Sequence, residues 1–263
     1  MITVATSTQP AADASGAVVT RARDRVLGLS GIAFPAFLLA GVLVPHATLE
    51  LDPTAVPDDP SVVTSFFEKN YELQQYQALM HSLAAVTLLV FFAALAEQVR
   101  RSDPNAQLPA RLTLAAGAGM ATIMLMAMAL VAGSISQTGG VDGTTQHWIY
   151  NLGWWEHFKS LYLLPVALVP ACLVLRRSRV LPAALAWPGL VLGVLAPVAM
   201  AGGLDASTEF LMFPVFLLLM VWVLTTGIVA LTRGLPLRPP GAARVRWPGH
   251  RSRCLARAKQ NSP

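Results

Sequence analysis

Four histidines are the residues best suited to chemistry in this chain: His46, His81, His147 and His157. Each falls at or near the edge of an apolar run, and Glu50, Glu156, Asp205 and Glu209 fall at a similar depth. Imidazole nitrogen beside carboxylate oxygen is a donor set for zinc or copper, and paired histidines at helix ends can hold haem iron. No two of the four stand at a local ligand spacing such as HxxxH. Only tertiary structure can therefore bring them together. The same residues also suit headgroups and water at a membrane edge, where they need no ligand at all.

Other candidates are weaker. Met120, Met124, Met126 and Met128 could offer soft sulfur to copper, but methionine also fills gaps in apolar packing. Cys172 lies inside an apolar run and Cys254 in a basic tail, so the two form neither a disulfide framework nor a metal-ligand spacing. The chain holds no GxSxG, P-loop, HExxH, CxxC or dinucleotide-binding fingerprint. Nothing positive points to an enzyme, and the residues single out no catalytic group and no resident cofactor. Haem or a transition metal stays as the alternative, on His46, His81, His147 and His157.

The elements that must position these residues are apolar runs. Residues 112–135, LTLAAGAGMATIMLMAMALVAGSI, contain no charge and no proline and would span about 36 Å as a helix. Only a helix satisfies every backbone group of such a run within hydrocarbon. The same pattern predicts an all-α polytopic membrane protein with six spans, at about 26–45, 78–95, 112–135, 158–175, 181–201 and 210–231. The first run is longer than a signal-peptide core and lacks a small-residue cleavage site, so it reads as a retained span. Pro35 is expected to kink it. Gly117, Gly119 and the pair Gly189 and Gly193 allow close helix approach.

The segments between spans differ in character. Residues 1–25 read as a disordered basic N-terminal segment and 234–263 as a disordered basic C-terminal tail, with the membrane domain at 26–233. The loop from His46 to Gln77 is acidic. Within it, Asp58 and Asp59 precede a stretch whose Val62, Val63, Phe66 and Phe67 share one side, predicting a short amphipathic helix on the outer face that ends at Asn70. Trp148, Tyr150, Trp154 and Trp155 suit an interfacial aromatic belt.

Charge orients the spans. Charged residues make up 13% of the chain, against about a quarter in soluble proteins. All but two of the 19 Lys and Arg, Lys69 and Lys159, fall in alternate connections and the two ends. Most acidic residues fall in the others. The positive-inside rule then predicts both termini in the cytoplasm, in the inner membrane of a bacterium. The net charge of +5 reflects topology, not nucleic-acid binding. The expected partners are the bilayer, anionic inner-leaflet lipid against the basic tail, and a membrane-protein partner or a second copy.

The layout resembles a widespread group of uncharacterised multi-span membrane proteins from actinobacteria. The resemblance rests on VLGLSGIAFPAFLLAGVLVP, on PSVVTSFFEKNYELQQYQALMHSLAAVTLLVFFAALAEQVRR and on RSRVLPAALAWPGLVLGVLAPVA. It covers about residues 25–233, implies the same short helix before the second span, and carries over no activity and no site residues. The leading reading is a non-catalytic structural, partner-binding or sensing component. A haem or metal binder using the outer histidines is the second reading, and a small-molecule permease built on the proline-broken first and fifth spans is the third. A closed histidine cluster would favour the second, and a continuous polar cavity the third.

Overall fold

The computed structural model describes residues 11–48, 60–136, 142–202 and 212–233, and all the regular structure among them is helical. Helix α1 is Ala11–Thr48, α2 is Pro60–Lys69, α3 is Tyr71–Ser102 and α4 is Gln107–Ser136. Then come α5 (Gly143–Lys159), a 3-10 turn at Ser160–Leu163, α6 (Leu164–Arg177), α7 (Ala183–Gly202) and α8 (Met212–Arg233). Among the described residues, six stretches are long and apolar enough to cross a membrane: Ala22–Pro45, Tyr71–Ser102, Gln107–Ser136, Gly143–Arg177, Ala183–Ala201 and Phe213–Arg233. Helix α1 starts at Ala11, inside the N-terminal stretch read as disordered. The tail 234–263 lies outside the described residues.

The fourth crossing joins two helices through one tight turn. Pro165 has no N–H to return to the carbonyl one turn back and sits in the first turn of α6, where that donor is not needed. The chain tightens to 3-10 geometry just before that point, with the Leu164 N–H donating to the Leu161 carbonyl. As a result the aromatic stretch HWIYNLGWWEHFK belongs to the crossing. Its Trp148 is exposed, whereas Tyr150 is buried.

Consecutive crossings run antiparallel and close into a ring. Helix α3 packs against α1 and α4, α4 against α5 and α6, and α6 against α7. Helix α8 meets both α7 and α1. The closing seam depends on glycine. A Cβ on Gly227 would lie 2.9 Å from the Gly28 carbonyl oxygen and 3.0 Å from the Gly31 Cα, so only hydrogen fits between these backbones. On the α3–α4 seam, a Cβ on Gly117 would collide with the Phe92 side chain.

The two ends of the bundle differ. At one, Glu97 receives Arg23 at 3.0 Å, Arg100 at 2.7 Å and Arg101 at 2.7 Å, tying α1 to α3. At the other, α2 turns directly into α3 at Asn70, whose side-chain amide donates to the Phe66 carbonyl. Phe66 and Phe67 bury against Tyr150 of α5 and do not face outward. The interior accordingly has two apolar clusters. The larger, built on Phe91, Phe92, Leu88, Met120 and Met124, fills the arginine end and the middle. The smaller holds Phe66, Phe67, Met128, Val131 and Tyr150.

Candidate functional site

A polar seam runs through the smaller cluster toward the larger one. Gln74, Gln77 and His81 follow one another at three- and four-residue steps, placing them on one face of α3. Gln146, Tyr150 and His157 share a face of α5 in the same way. All six side chains are buried. The Tyr150 hydroxyl donates to Gln74 Oε1 at 3.1 Å, and Gln146 Nε2 donates to the Ser134 carbonyl at 3.0 Å. The seam begins at the end where α3 starts and α4 stops. From Gln74 to His81 it runs inward for about 10 Å, the rise of seven residues of α3.

At its inner limit His81 and His157 meet edge to face, ring centroids 5.4 Å apart and planes at 75°. The Trp154 ring packs on both, at 5.1 Å from His81 and 5.8 Å from His157. Phe158 at 5.7 Å and Phe216 at 5.8 Å enclose His157 from the other sides. Gly41 of α1 forms the remaining wall. A Cβ there would sit 2.7 Å from His81 Nδ1 and 2.8 Å from Cε1.

The hydrogen bonds define which nitrogen atoms are available. His81 Nδ1 lies 2.9 Å from the Gln77 carbonyl oxygen. A carbonyl only accepts, so Nδ1 carries the proton and Nε2 of the neutral ring holds a lone pair. His157 is 1% exposed, and neither Nδ1 nor Nε2 has a hydrogen-bond partner among the protein's own groups. Gln74 Nε2 and Gln77 Oε1 are likewise buried without partners. Most buried polar groups in proteins are paired, and leaving one unpaired costs about 1–3 kcal/mol. Four such atoms in one seam mark a place built for something polar.

The remaining candidates are elsewhere. His147 accepts from the Asn151 side-chain amide at 2.8 Å and lies ten residues before His157 on α5, about 15 Å away. His46 is in the last turn of α1, and its side chain lies outside the described residues, as do Glu50, Asp205 and Glu209. Glu156 pairs with Lys159 at 2.7 Å. Asp142 caps α5 by accepting from the Thr145 hydroxyl at 2.7 Å and its N–H at 3.0 Å, which holds the carboxyl below the usual aspartate range. Among the described residues, no three or more of His, Cys, Asp and Glu gather in one place. Cys172 is a buried free thiol against Gly189. Met120, Met124 and Met128 are core residues and Met126 is exposed.

Sequence reasoning named both members of the pair but missed its surroundings. Gln74 and Gln77 were detectable by their spacing from His81. Phe216 and Gly41 carry no such signal, because they reach the pair from other helices. Compared with family models, characterised proteins and solved structures, the chain matches none, so its own residues carry the reading.

Proposed function

We propose that this chain is a multi-pass protein of a bacterial cytoplasmic membrane, with both termini inside, that catalyses no reaction. It acts as a binding or sensing component and takes a small ligand from the outer side at the His81–His157 pair. One observation carries the reading: His157 is buried with both ring nitrogens unpartnered, at the inner limit of a polar seam that begins at one end of the bundle. Intramembrane ionisable side chains are costly to keep, and their ordinary justification is a functional one.

The charge pattern supports the orientation. Arg23, Arg100, Arg101, Arg111, Arg176, Arg177, Arg179 and Arg233 all belong to the end opposite the seam, which the positive-inside rule assigns to the cytoplasm. The packing supports binding over permeation. Past the pair, Leu88, Phe91, Phe92, Met120 and Met124 are fully buried and fill the bundle. The polar seam therefore has apolar packing beyond its inner limit and no polar continuation toward the arginine end.

Cysteine accessibility tests this. In a background of Cys172→Ala and Cys254→Ser, Tyr71→Cys at the exposed start of α3 reacts at once on intact cells with a membrane-impermeant methanethiosulfonate, Gln74→Cys reacts there more slowly as the seam opens to ligand, and Leu88→Cys reacts from neither side. Labelling of Gln74→Cys only in inverted vesicles would reverse the orientation. Labelling of Leu88→Cys from both sides would mean a through-path and favour a permease.

A further inference from the structure

We propose that the His81–His157 pair is a binding site for a single cuprous ion, held by His81 Nε2 and one ring nitrogen of His157. This rests on the reading above, that the seam leads a ligand inward to the pair, and it names the ligand's chemistry.

The donor set comes first. Both groups are imidazoles and both have a lone pair to give. His81 offers Nε2 because its Nδ1–H is committed to the Gln77 carbonyl. That bond is the outer-shell contact that usually orients a ligating histidine and fixes its tautomer. His157 offers either nitrogen, since neither is engaged.

Distance comes next. With metal–nitrogen bonds of about 2.0 Å, one shared ion holds two imidazole centroids roughly 6 Å apart when the nitrogens face each other across it. The observed 5.4 Å is slightly shorter. Edge-to-face rings do not aim both lone pairs at one point, so seating the ion also requires the His157 imidazole, whose nitrogens are unpartnered, to turn while His81 stays on the Gln77 carbonyl.

Charge and coordination number then select the metal. No carboxylate or thiolate joins the pair among the described residues. A divalent ion would bring two uncompensated charges into an apolar surround, whereas a monovalent ion brings one. Zinc in a closed site wants four ligands, and calcium or magnesium wants oxygen. Copper(I) is the first-row ion that is monovalent, accepts imidazole and is satisfied by two nitrogen donors. Haem fits less well, because a porphyrin plane between the two rings would displace Trp154, Phe158 and Phe216, each within 5.8 Å of a histidine centroid.

The test is anaerobic competition of the full-length protein in mild detergent against a cuprous chelator, with zinc(II) and haemin as parallel probes. The expected result is one copper(I) per chain, a raised Tm, and an X-ray absorption spectrum of two nitrogen neighbours. Affinity falls at least about tenfold in His81→Leu and in His157→Leu, the scale on which even supporting contacts of metal sites act. It stays unchanged in His147→Leu. The proposal is overturned if the folded wild type retains no stoichiometric copper(I), if His157→Leu binds as well as wild type, if zinc(II) binds more tightly, or if haemin gives a bis-imidazole Soret band. Copper loss with outside labelling of Gln74→Cys intact removes the ion and leaves the outward pocket. Copper binding with Gln74→Cys labelled only from inside keeps the ion and removes the outward pocket.

Discussion

His81 of α3 and His157 of α5 come together edge to face at 5.4 Å, although each is the sole histidine of its own stretch of apolar helix face. Helices α3 and α5 each pack against α4, and the Trp154 ring lies beside both histidines. Four experiments follow from this arrangement and from the seams around it.

Replacing His157 with leucine removes two unpartnered buried nitrogens and keeps an apolar side chain in the aromatic enclosure. Without metal, His157→Leu should be as stable as wild type or more stable by about 1–3 kcal/mol. Thermal unfolding in detergent measures this. A clear loss of stability would show that His157 has partners that the geometry does not reveal.

Gly41 sets the distance between α1 and His81. In Gly41→Val the added atoms meet the imidazole at van der Waals overlap, so either the ring or α1 must move. Overpacking of this kind costs about 1–3 kcal/mol. The variant should lose stability and copper(I) affinity together. Unchanged affinity with lowered stability would separate the glycine from the site.

The α1–α8 seam is the least forgiving contact. Gly227→Leu drives a side chain into the backbone of Gly28 and Gly31, which cannot yield as a side-chain end would. The ring should open there, with a loss of about 2–4 kcal/mol by the scale of overpacked interiors. A cysteine pair placed across the seam would crosslink in the parent and fail to do so in the variant. Efficient crosslinking in the variant would show that the backbones can separate without opening the ring.

Asp142 gives the pH prediction. Its carboxyl is held low because its charged form accepts from the Thr145 hydroxyl and N–H. A carboxylate depressed in the folded state stabilises above its unfolded pKa, and that stability is lost as pH falls through the folded value. The first turn of α5 should therefore fray under acid, below the ordinary aspartate range. Amide exchange at Thr144–Gln146 would accelerate there, and Asp142→Ala would show fast exchange at neutral pH as well. Exchange that ignores both changes would mean that the cap does not hold the turn.

The class of the molecule was legible in the chain because it depends on composition over twenty-residue windows. A run such as 112–135 can satisfy its backbone in hydrocarbon only as a helix, whatever its neighbours do. Six helices long and apolar enough to cross a membrane could therefore be read without coordinates. His81 was legible too, as a lone ionisable group inside an apolar run. The extent of the fourth crossing was not. Its aromatic stretch looks like an interfacial belt until the 3-10 turn before Pro165 joins α5 to α6 and carries Tyr150 and His157 inside.

Tertiary structure alone decided which histidines meet. Periodicity places a residue on a helix face, but the rotation of each helix about its axis depends on its neighbours. In this bundle the rotation follows from contacts such as Gly41 on His81, Gly153 on Val131 and Gly117 on Phe92, between residues far apart in the chain. The same four histidines could have stayed dispersed at a membrane edge. Helix packing turned His81 and His157 toward each other and left His147 to its neighbour Asn151.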